Sequence, residues 1–179
     1  MSRQNADVDL KAQVVDIPDH PQPGVTFRDI TPVLADPAAL GACVDRLAAA
    51  ARDLGVQRVI GAEARGFLLG PALARELDAG FILARKPGKL PRATVGVEYA
   101  LEYGTDELQV HEDAFPPGTR VLVHDDLLAT GGTARALCSL VERLGGEVVG
   151  CSFLAELAFL GGRAALEPHD VLSLIVYED

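Results

Sequence analysis

From residue 58 onward, short aliphatic runs alternate with segments whose apolar residues recur every three or four positions. The runs are typical of buried strands, and the segments between them are typical of amphipathic helices. The predicted strands are RVIGAEA (58–64), FILAR (81–85), TRVLVH (119–124), EVVGCSFLAEL (147–157) and DVLSLIVYE (170–178). The predicted helices between them are 65–77 and 133–144. Because strands that alternate with helices indicate βαβ units, we predict an α/β fold with a twisted, mainly parallel β-sheet flanked by helices.

Helix signals also occur before this region. Asp36 suits an N-cap, Pro37 the first helical position and Gly55 a C-terminal stop, which together predict a helix between them. Residues 8–15 have a short amphipathic pattern, so we predict another helix there. The segment 16–24 contains three prolines and one glycine, and we expect it to be loop.

Residues 86–113 interrupt the alternation of strands and helices. The part 86–104 contains three glycines and two prolines without core periodicity, which suits a mobile excursion. ELQVHED (107–113) alternates apolar and polar residues like an exposed hairpin strand. A chain of 179 residues is long enough for one domain, so we predict a single domain over 1–179 that carries this flexible region.

The charge and the cysteine content of the chain indicate which partners to expect and in which cellular compartment. Sixteen Lys and Arg against 26 Asp and Glu give a net charge of −10, which argues against broad nucleic-acid binding. No apolar run approaches the length of a membrane span, and the polar start lacks the apolar stretch of a signal peptide. Cys43, Cys138 and Cys151 lie among aliphatic neighbours without C-x-x-C spacing. We therefore expect buried thiols and a cytoplasmic protein that neither binds nor spans a membrane.

The most informative segment is VLVHDDLLATGGTARAL (121–137), where a strand leads through two acids and a glycine pair into a helix. Converging backbone N–H groups and the positive end of the helix dipole suit one phosphate group. This predicted phosphate turn consists of five consecutive residues: Ala129, Thr130, Gly131, Gly132 and Thr133. Carboxylates only accept hydrogen bonds, so Asp125 and Asp126 suit sugar hydroxyls or a metal ion. A phosphorylated ribose presents a phosphate and a diol close together.

Competing interpretations of the segment have less support. The pattern G-x-x-x-x-G-K-[ST] of P-loop proteins does not occur, and no G-x-G-x-x-G follows a predicted strand. A metal-dependent phosphohydrolase would need more His and Asp partners than His124 has, so we interpret His124 as a strand-end histidine with a local hydrogen bond. A glycine-rich corner with a helix cap and no ligand remains the plainer alternative for the turn.

With these residues the chain resembles the type I phosphoribosyltransferases, which use 5-phosphoribosyl pyrophosphate (PRPP). The stretch 121–133 is similar to the PRPP motif of that family. GAEARGF (61–67), ARKPGKLPR (84–92), EYALEYGTDEL (98–108) and PQPGVTFRDITP (21–32) are similar to further family motifs. Together they resemble the branch of the family that uses adenine.

The resemblance implies a role for each motif. The phosphate turn is assigned to the 5′-phosphate of PRPP, and Asp125 and Asp126 to the ribose hydroxyls. The pyrophosphate half is assigned to six residues: Glu63, Ala64, Arg65, Arg85, Lys86 and Lys89. Adenine is assigned to four residues, of which Phe27 and Leu157 stack on the ring and the main chain at Thr26 and Arg28 reads its edge. Glu102 is the implied general acid/base toward N7 of the purine, and Tyr103 lies beside it on a hood (residues 86–113) that closes over the site.

Taken without the resemblance, several of these residues have ordinary structural explanations. Arg65 and the basic loop 84–92 are equally consistent with solvent-exposed cations, although four of the sixteen basic residues lie within eight positions there. Phe27 is consistent with a buried anchor, and Glu102 with a solvated acid. Thr26 and His124 stand where the family has aliphatic residues.

The resemblance also implies the reaction and its requirements. Adenine and PRPP would give AMP and pyrophosphate in purine salvage, with magnesium bound through PRPP rather than by the protein directly. A homodimer is implied, in which Lys89 reaches the site of the partner subunit. The alternatives are a phosphoribosyltransferase for a 6-oxopurine or another base, and a PRPP-sensing regulator without catalysis. Such a regulator needs a nucleic-acid-binding extension or a basic face, and the sequence has neither.

Overall fold

The computed structural model describes residues 8–101 and 104–179, which fall into two compact units divided between Arg46 and Leu47. The elements of the first unit, in chain order, are α1 (Leu10–Gln13), β1 (Val15–Ile17), β2 (Phe27–Asp29), α2 (Thr31–Ala35) and the start of α3 (Pro37–Ala51). Strands β1 and β2 pair antiparallel, with Ile17 opposite Phe27. The prediction that 16–24 is entirely loop is therefore wrong at Asp16 and Ile17. The strand ends before Pro18, the first residue that lacks a backbone N–H.

Helix α3 forms as the capping pattern predicts. Asp36 Oδ1 accepts hydrogen bonds from the backbone N–H groups of Ala38 at 2.7 Å and Ala39 at 3.1 Å. These bonds satisfy two of the N–H groups that the first turn of a helix leaves without partners. After Ala51 a 3₁₀ turn leads to Gly55, which has a φ of +61° and ends the helical segment.

The second unit contains the alternating pattern. Its elements in chain order are β3 (Arg58–Ala62), α4 (Gly70–Glu76), β4 (Gly80–Ala84), β5 (Thr94–Leu101), β6 (Gly104–His111), β7 (Arg120–Leu128), α5 (Gly132–Arg143), β8 (Glu147–Leu157), α6 (Gly162–Ala165) and β9 (Val171–Tyr177). Five of these strands form a parallel sheet in the order β4-β3-β7-β8-β9. The predicted α/β fold with a parallel sheet flanked by helices is confirmed. The predicted helix over 65–77 is shorter, because a 3₁₀ turn (Arg65–Phe67) precedes α4.

Strands β5 and β6 form an antiparallel hairpin inside the hood. The prediction that 86–104 is an irregular excursion is wrong from Thr94 onward, where β5 begins. Val97 is opposite Leu108 in this hairpin, and both side chains are buried in the hydrophobic core. The sequence does alternate here, because Val95, Val97, Tyr99 and Leu101 are apolar and Gly96 lies on the opposite face of the strand. The surrounding glycines and prolines indicate loop and outweigh this pattern in the prediction. The hairpin strand predicted at 107–113 is confirmed, although β6 begins and ends earlier.

The core of the second unit lies between the sheet and its helices. Helix α5 buries the side chains of Leu137, Leu140 and Val141, and Phe153 of β8 is fully buried. The three cysteines are buried free thiols, as predicted, and burial raises the pKa of Cys43 to about 11. Among the helices of the described residues, none combines the length and apolar character that crossing a membrane would require.

Candidate active site

The carboxyl ends of three neighbouring strands bring the predicted segments of the second unit to one edge of the sheet. Strands β3, β7 and β8 are adjacent and parallel. Residues 63–65 follow β3, the phosphate turn follows β7, and Leu157 is the last residue of β8. Ligands of open parallel sheets bind beyond this edge, because the connecting loops there surround a crevice.

Two glycines allow the chain after β3 to approach β7 closely. A Cβ on Gly61 would lie 2.7 Å from the carbonyl oxygen of Gly66, and one on Gly66 would lie 3.2 Å from the carbonyl oxygen of His124. Larger residues would therefore push the 3₁₀ turn away from the sheet. The close approach brings Arg65 Nε to 2.5 Å from Asp126 Oδ2, although the two residues are 61 positions apart.

The phosphate turn has the strand–turn–helix geometry that the sequence predicts. Gly131 caps α5 with a φ of +85°, a left-handed conformation that residues with a Cβ adopt only with strain. A cleft of about 620 Å³ is lined by the five residues of the turn together with Asp125, Leu127, Leu128, Ala134 and Leu160. The first turn of a helix leaves N–H groups without helical partners, so this cleft has the donors that an anion needs.

The acid pair lies inside β7 and not after it, because the strand extends four residues beyond its predicted end. Asp126 is only 3% exposed, and its carboxylate pairs with Arg65. Asp125 Oδ1 accepts a hydrogen bond from the backbone N–H of Asp126 at 2.9 Å. Burial raises the pKa of Asp125, and the neighbouring carboxylate of Asp126 raises it further. Both acids line a second cleft of about 350 Å³.

Glu63 connects the segment after β3 with the basic loop. Its carboxylate accepts hydrogen bonds from Arg85 Nε at 2.7 Å and from the backbone N–H of Lys86 at 2.8 Å. Partial burial acts to raise the pKa of Glu63, but these two hydrogen bonds lower it below its ordinary value. Arg85 also donates to the carbonyl oxygen of Lys89 at 3.3 Å, and Lys89 itself is exposed. Glu63, Ala64, Arg65 and Lys86 line the second cleft together.

Besides Leu108, two hydrogen-bonding residues of the hood that the sequence did not single out line the second cleft, Tyr99 and Asp106. Asp106 Oδ2 is 2.9 Å from Lys86 Nζ and 3.4 Å from the hydroxyl of Tyr99. Thr133 of the phosphate turn lines the same cleft. The signal that could have identified them is the apolar–polar alternation of β5 and β6, which would have placed them opposite each other in a hairpin.

The predicted adenine and proton-transfer residues fall in different parts of the chain. Thr26, Phe27 and Arg28 lie in the first unit, where the ring of Phe27 makes an edge contact with His20 at a centroid distance of 5.3 Å. Arg28 Nη1 forms an ion pair with Asp16, the residue opposite it in β1. Leu157 lies in the second unit, and the binding of adenine by these four residues stays a prediction. Glu102 and Tyr103 lie outside the described residues.

His124 lies in the middle of β7, so the prediction of a strand-end histidine is wrong. Its predicted local hydrogen bond is present, because Nδ1 lies 3.0 Å from Ser152 Oγ on the neighbouring strand β8. The ring is fully buried, and no partner for Nε2 lies among the described residues. Burial lowers the pKa of His124 to about 4, so the ring is neutral in neutral solution. Within residues 8–101 and 104–179, no group of three or more His, Cys, Asp or Glu side chains could hold a metal ion.

Comparison with known proteins agrees with the fold. The model of the phosphoribosyl transferase domain matches residues 34–171 of the chain. The chain is 61% identical to the adenine phosphoribosyltransferase of Rubrobacter xylanophilus over 171 residues, which are 95% of the chain and 92% of the relative.

Solved structures extend the similarity to three dimensions. The adenine phosphoribosyltransferase of Thermoanaerobacter pseudethanolicus superposes with a TM-score of 0.91 at 49% identity, over 94% of this chain and 98% of that one. The enzyme of Saccharomyces cerevisiae, solved with adenine and an imino-altritol bisphosphate, has a TM-score of 0.87 at 37% identity over 92% and 96% of the two chains. The family model spans more than half of the chain, and the similarity predicted from the PRPP motif and the four further motifs is confirmed. The chain belongs to the phosphoribosyl transferase domain family.

Proposed function

We propose that the chain transfers the 5-phosphoribosyl group of PRPP to adenine, giving AMP and pyrophosphate for purine salvage. The observation that carries this proposal is one continuous edge of the sheet where the phosphate turn, the acid pair, Arg65 and Lys86 line adjoining clefts. The relatives described above, among them the Rubrobacter protein, are named adenine phosphoribosyltransferases.

The phosphate turn holds the 5′-phosphate in this proposal. Gly131 aims the start of α5 at the first cleft, so backbone N–H groups and the helix dipole neutralise the phosphate without a lysine. Asp125 and Asp126 accept hydrogen bonds from the ribose hydroxyls. Burial raises the pKa of Asp125 and so disfavours its ionised form. Hydrogen bonds from the ribose hydroxyls act in the opposite direction, because they stabilise the ionised carboxylate.

The second cleft holds the pyrophosphate half. Arg65 and Lys86 face it directly, and Arg85 and Lys89 lie on the same basic loop. A guanidinium has five N–H donors in a planar fork, so Arg65 can bind Asp126 and a phosphate oxygen at once. Glu63 and Ala64 hold the backbone of this segment, and the Glu63 carboxylate orients Arg85.

Magnesium enters with PRPP in this proposal. The described residues fit that role, because Asp125 and Asp126 present oxygen atoms beside the cleft but lack the third ligand of a protein-held ion. When bound, the ion neutralises charge on the departing pyrophosphate. The chain itself contributes positioning and fixed positive charge at the two phosphate ends.

The base side of the reaction rests on the family motifs. Phe27 and Leu157 would stack on adenine, while the main chain at Thr26 and Arg28 would read its 6-amino edge. Glu102 would exchange the proton at N7, and Tyr103 would help the hood to exclude water. We further propose a single-domain cytoplasmic homodimer that binds neither nucleic acid nor membrane.

A product assay tests the function. The purified chain is incubated with magnesium and PRPP in three separate reactions, which contain adenine, hypoxanthine or guanine. The nucleotide formed in each reaction is identified by mass. AMP from adenine with equimolar pyrophosphate is expected. IMP or GMP in place of AMP would instead establish a 6-oxopurine enzyme, and the absence of any pyrophosphate release would establish a binding protein.

A further inference from the structure

One cross-strand pair of the hood lines the second cleft of the proposed site. Tyr99 on β5 is directly opposite Asp106 on β6. Tyr99 and Asp106 line the second cleft together with Thr133 of the phosphate turn. Asp106 Oδ2 lies 2.9 Å from Lys86 Nζ on the basic loop. The hairpin is therefore attached through Asp106 to the segment assigned to pyrophosphate, and Tyr99 lines the same cleft as the phosphate turn.

The ammonium group of Lys86 that contacts Asp106 is also the group assigned to bind the pyrophosphate half of PRPP. Asp106 is enclosed more than Lys86, with 20% of its side chain exposed against 54%. The hydrogen bond and charge of Lys86 lower the pKa of Asp106, so the carboxylate is ionised in neutral solution. A second hydrogen bond from the backbone N–H of Glu107 at 2.9 Å holds this carboxylate in place. A carboxylate oxygen and a phosphate oxygen are alternative acceptors for one ammonium, and their like charges repel.

We propose that Asp106 is an internal competitor of pyrophosphate for Lys86, and that it sets the affinity of the pyrophosphate end. This inference rests on the proposed function, because it takes Lys86 as a pyrophosphate ligand. Pyrophosphate or PRPP replaces Asp106 at the Lys86 ammonium, and the departure of pyrophosphate restores the ion pair. The exchange removes one side-chain contact between β6 and the basic loop, while the backbone hydrogen bonds between Arg85 and Gln109 continue to join them.

Asp106→Asn tests the competition directly. The amide keeps the size of the side chain and can still accept the hydrogen bond from Tyr99, but it has no charge to pair with Lys86. Partly exposed ion pairs have coupling energies that correspond to a two- to fivefold change in an equilibrium constant, so magnesium pyrophosphate should bind about two- to fivefold more tightly to the variant by calorimetry. The KM for PRPP should fall by a similar factor while the KM for adenine is unchanged.

Glu107→Gln is the matched control, because it removes the same charge from the next position of β6. The side chain of Glu107 accepts a hydrogen bond from Gln109 at 2.9 Å and points to the other face of the strand. It should leave the affinity for pyrophosphate within experimental error of the wild type. An equal gain in both variants would show a general charge effect and overturn the competition at Lys86.

A double-mutant cycle with Lys86→Met completes the test. In the Lys86→Met background, Asp106→Asn should no longer tighten pyrophosphate binding, since the contested ammonium is gone. Unchanged or weaker binding by the single variant Asp106→Asn would overturn the proposal and indicate that Asp106 positions Lys86 for the ligand. If the wild-type chain forms AMP and binds pyrophosphate but the variant does not differ, only this inference fails. If the wild type binds no pyrophosphate, both proposals fail.

Discussion

The buried imidazole of His124 makes the stability of the chain sensitive to acid, and the size of the effect follows from its surroundings. Its folded pKa of about 4 lies below the ordinary value of 6.5, because burial disfavours the charged ring. The unfolded chain therefore takes up a proton at a higher pH than the folded chain does. The contribution of His124 to the free energy of unfolding is complete above pH 6.5 and is lost as the pH falls toward the folded pKa.

The expected loss can be worked from these two values. At about 1.36 kcal/mol per pKa unit, the free energy of unfolding falls by about 3.4 kcal/mol once the pH is below the folded pKa. Between pH 7 and pH 5 the His124 contribution amounts to about 2 kcal/mol. Asp125 acts in the opposite direction, since a raised pKa in the folded state means that its protonation favours folding. A comparison with a variant is therefore needed to isolate the histidine.

The informative variant combines His124→Leu with Ser152→Ala. It removes the imidazole and the hydroxyl that contacts it at 3.0 Å, so that neither partner is left buried alone. Urea unfolding at pH 7, 6 and 5, at one protein concentration, gives the free energy of unfolding of each protein. The wild type should lose about 2 kcal/mol more than the variant between pH 7 and pH 5.

The control is His20→Gln, which removes an exposed imidazole and should retain the pH dependence of the wild type. Equal pH dependence in the wild type and the double variant would refute the reasoning. It would mean that the His124 ring accepts a proton inside the folded protein at little cost.

Three further predictions concern the proposed site. Asp125→Asn combined with Asp126→Asn should weaken PRPP binding far more than adenine binding, measured by calorimetry, and equal losses would contradict the ribose role. Glu102→Leu should lower kcat by roughly 10²–10⁴ with little effect on PRPP affinity, and a variant with near-normal turnover would exclude Glu102 as the acid/base. Gly131→Ala places a Cβ 2.8 Å from a backbone oxygen at a φ of +85°, so it should lower the free energy of unfolding by about 1–3 kcal/mol and raise the KM for PRPP. Gly118→Ala, at a φ of +78° with nothing within 4 Å, is the matched control and should show the smaller loss in unfolding and an unchanged KM.

Elements whose signals are local were predictable from the sequence. Helix α3 begins at the predicted cap, and β8 has the predicted bounds, because capping residues and an unbroken apolar run act within a few positions. The strand–turn–helix of the phosphate turn was predictable for the same reason. The failures have a local cause too. The alternation of β5 lies in a segment whose glycines and prolines indicate loop, and β1 has only three residues, too few for a period to show.

The partners of the charged residues were not predictable. The sequence presents Arg65, Lys86 and Asp126 as separate members of the candidate site, with nothing to indicate which charges pair. In the folded chain Arg65 pairs with Asp126, while Lys86 pairs with Asp106 of the hood, a residue to which the sequence analysis assigns no role. These pairings depend on which strands are neighbours in the sheet and on the register of the hairpin.

By itself, the sequence determined the class of fold, the phosphate turn and the family, since hydrophobic period, glycine position and motif spacing are all properties of contiguous residues. Only the tertiary structure decided that His124 is a neutral buried ring, that Asp125 has a raised pKa and that Asp106 contacts Lys86. The physical reason is that charge–charge energies and desolvation depend on distance and burial. Both arise when the parallel order β4-β3-β7-β8-β9 and the β5–β6 hairpin bring distant residues together.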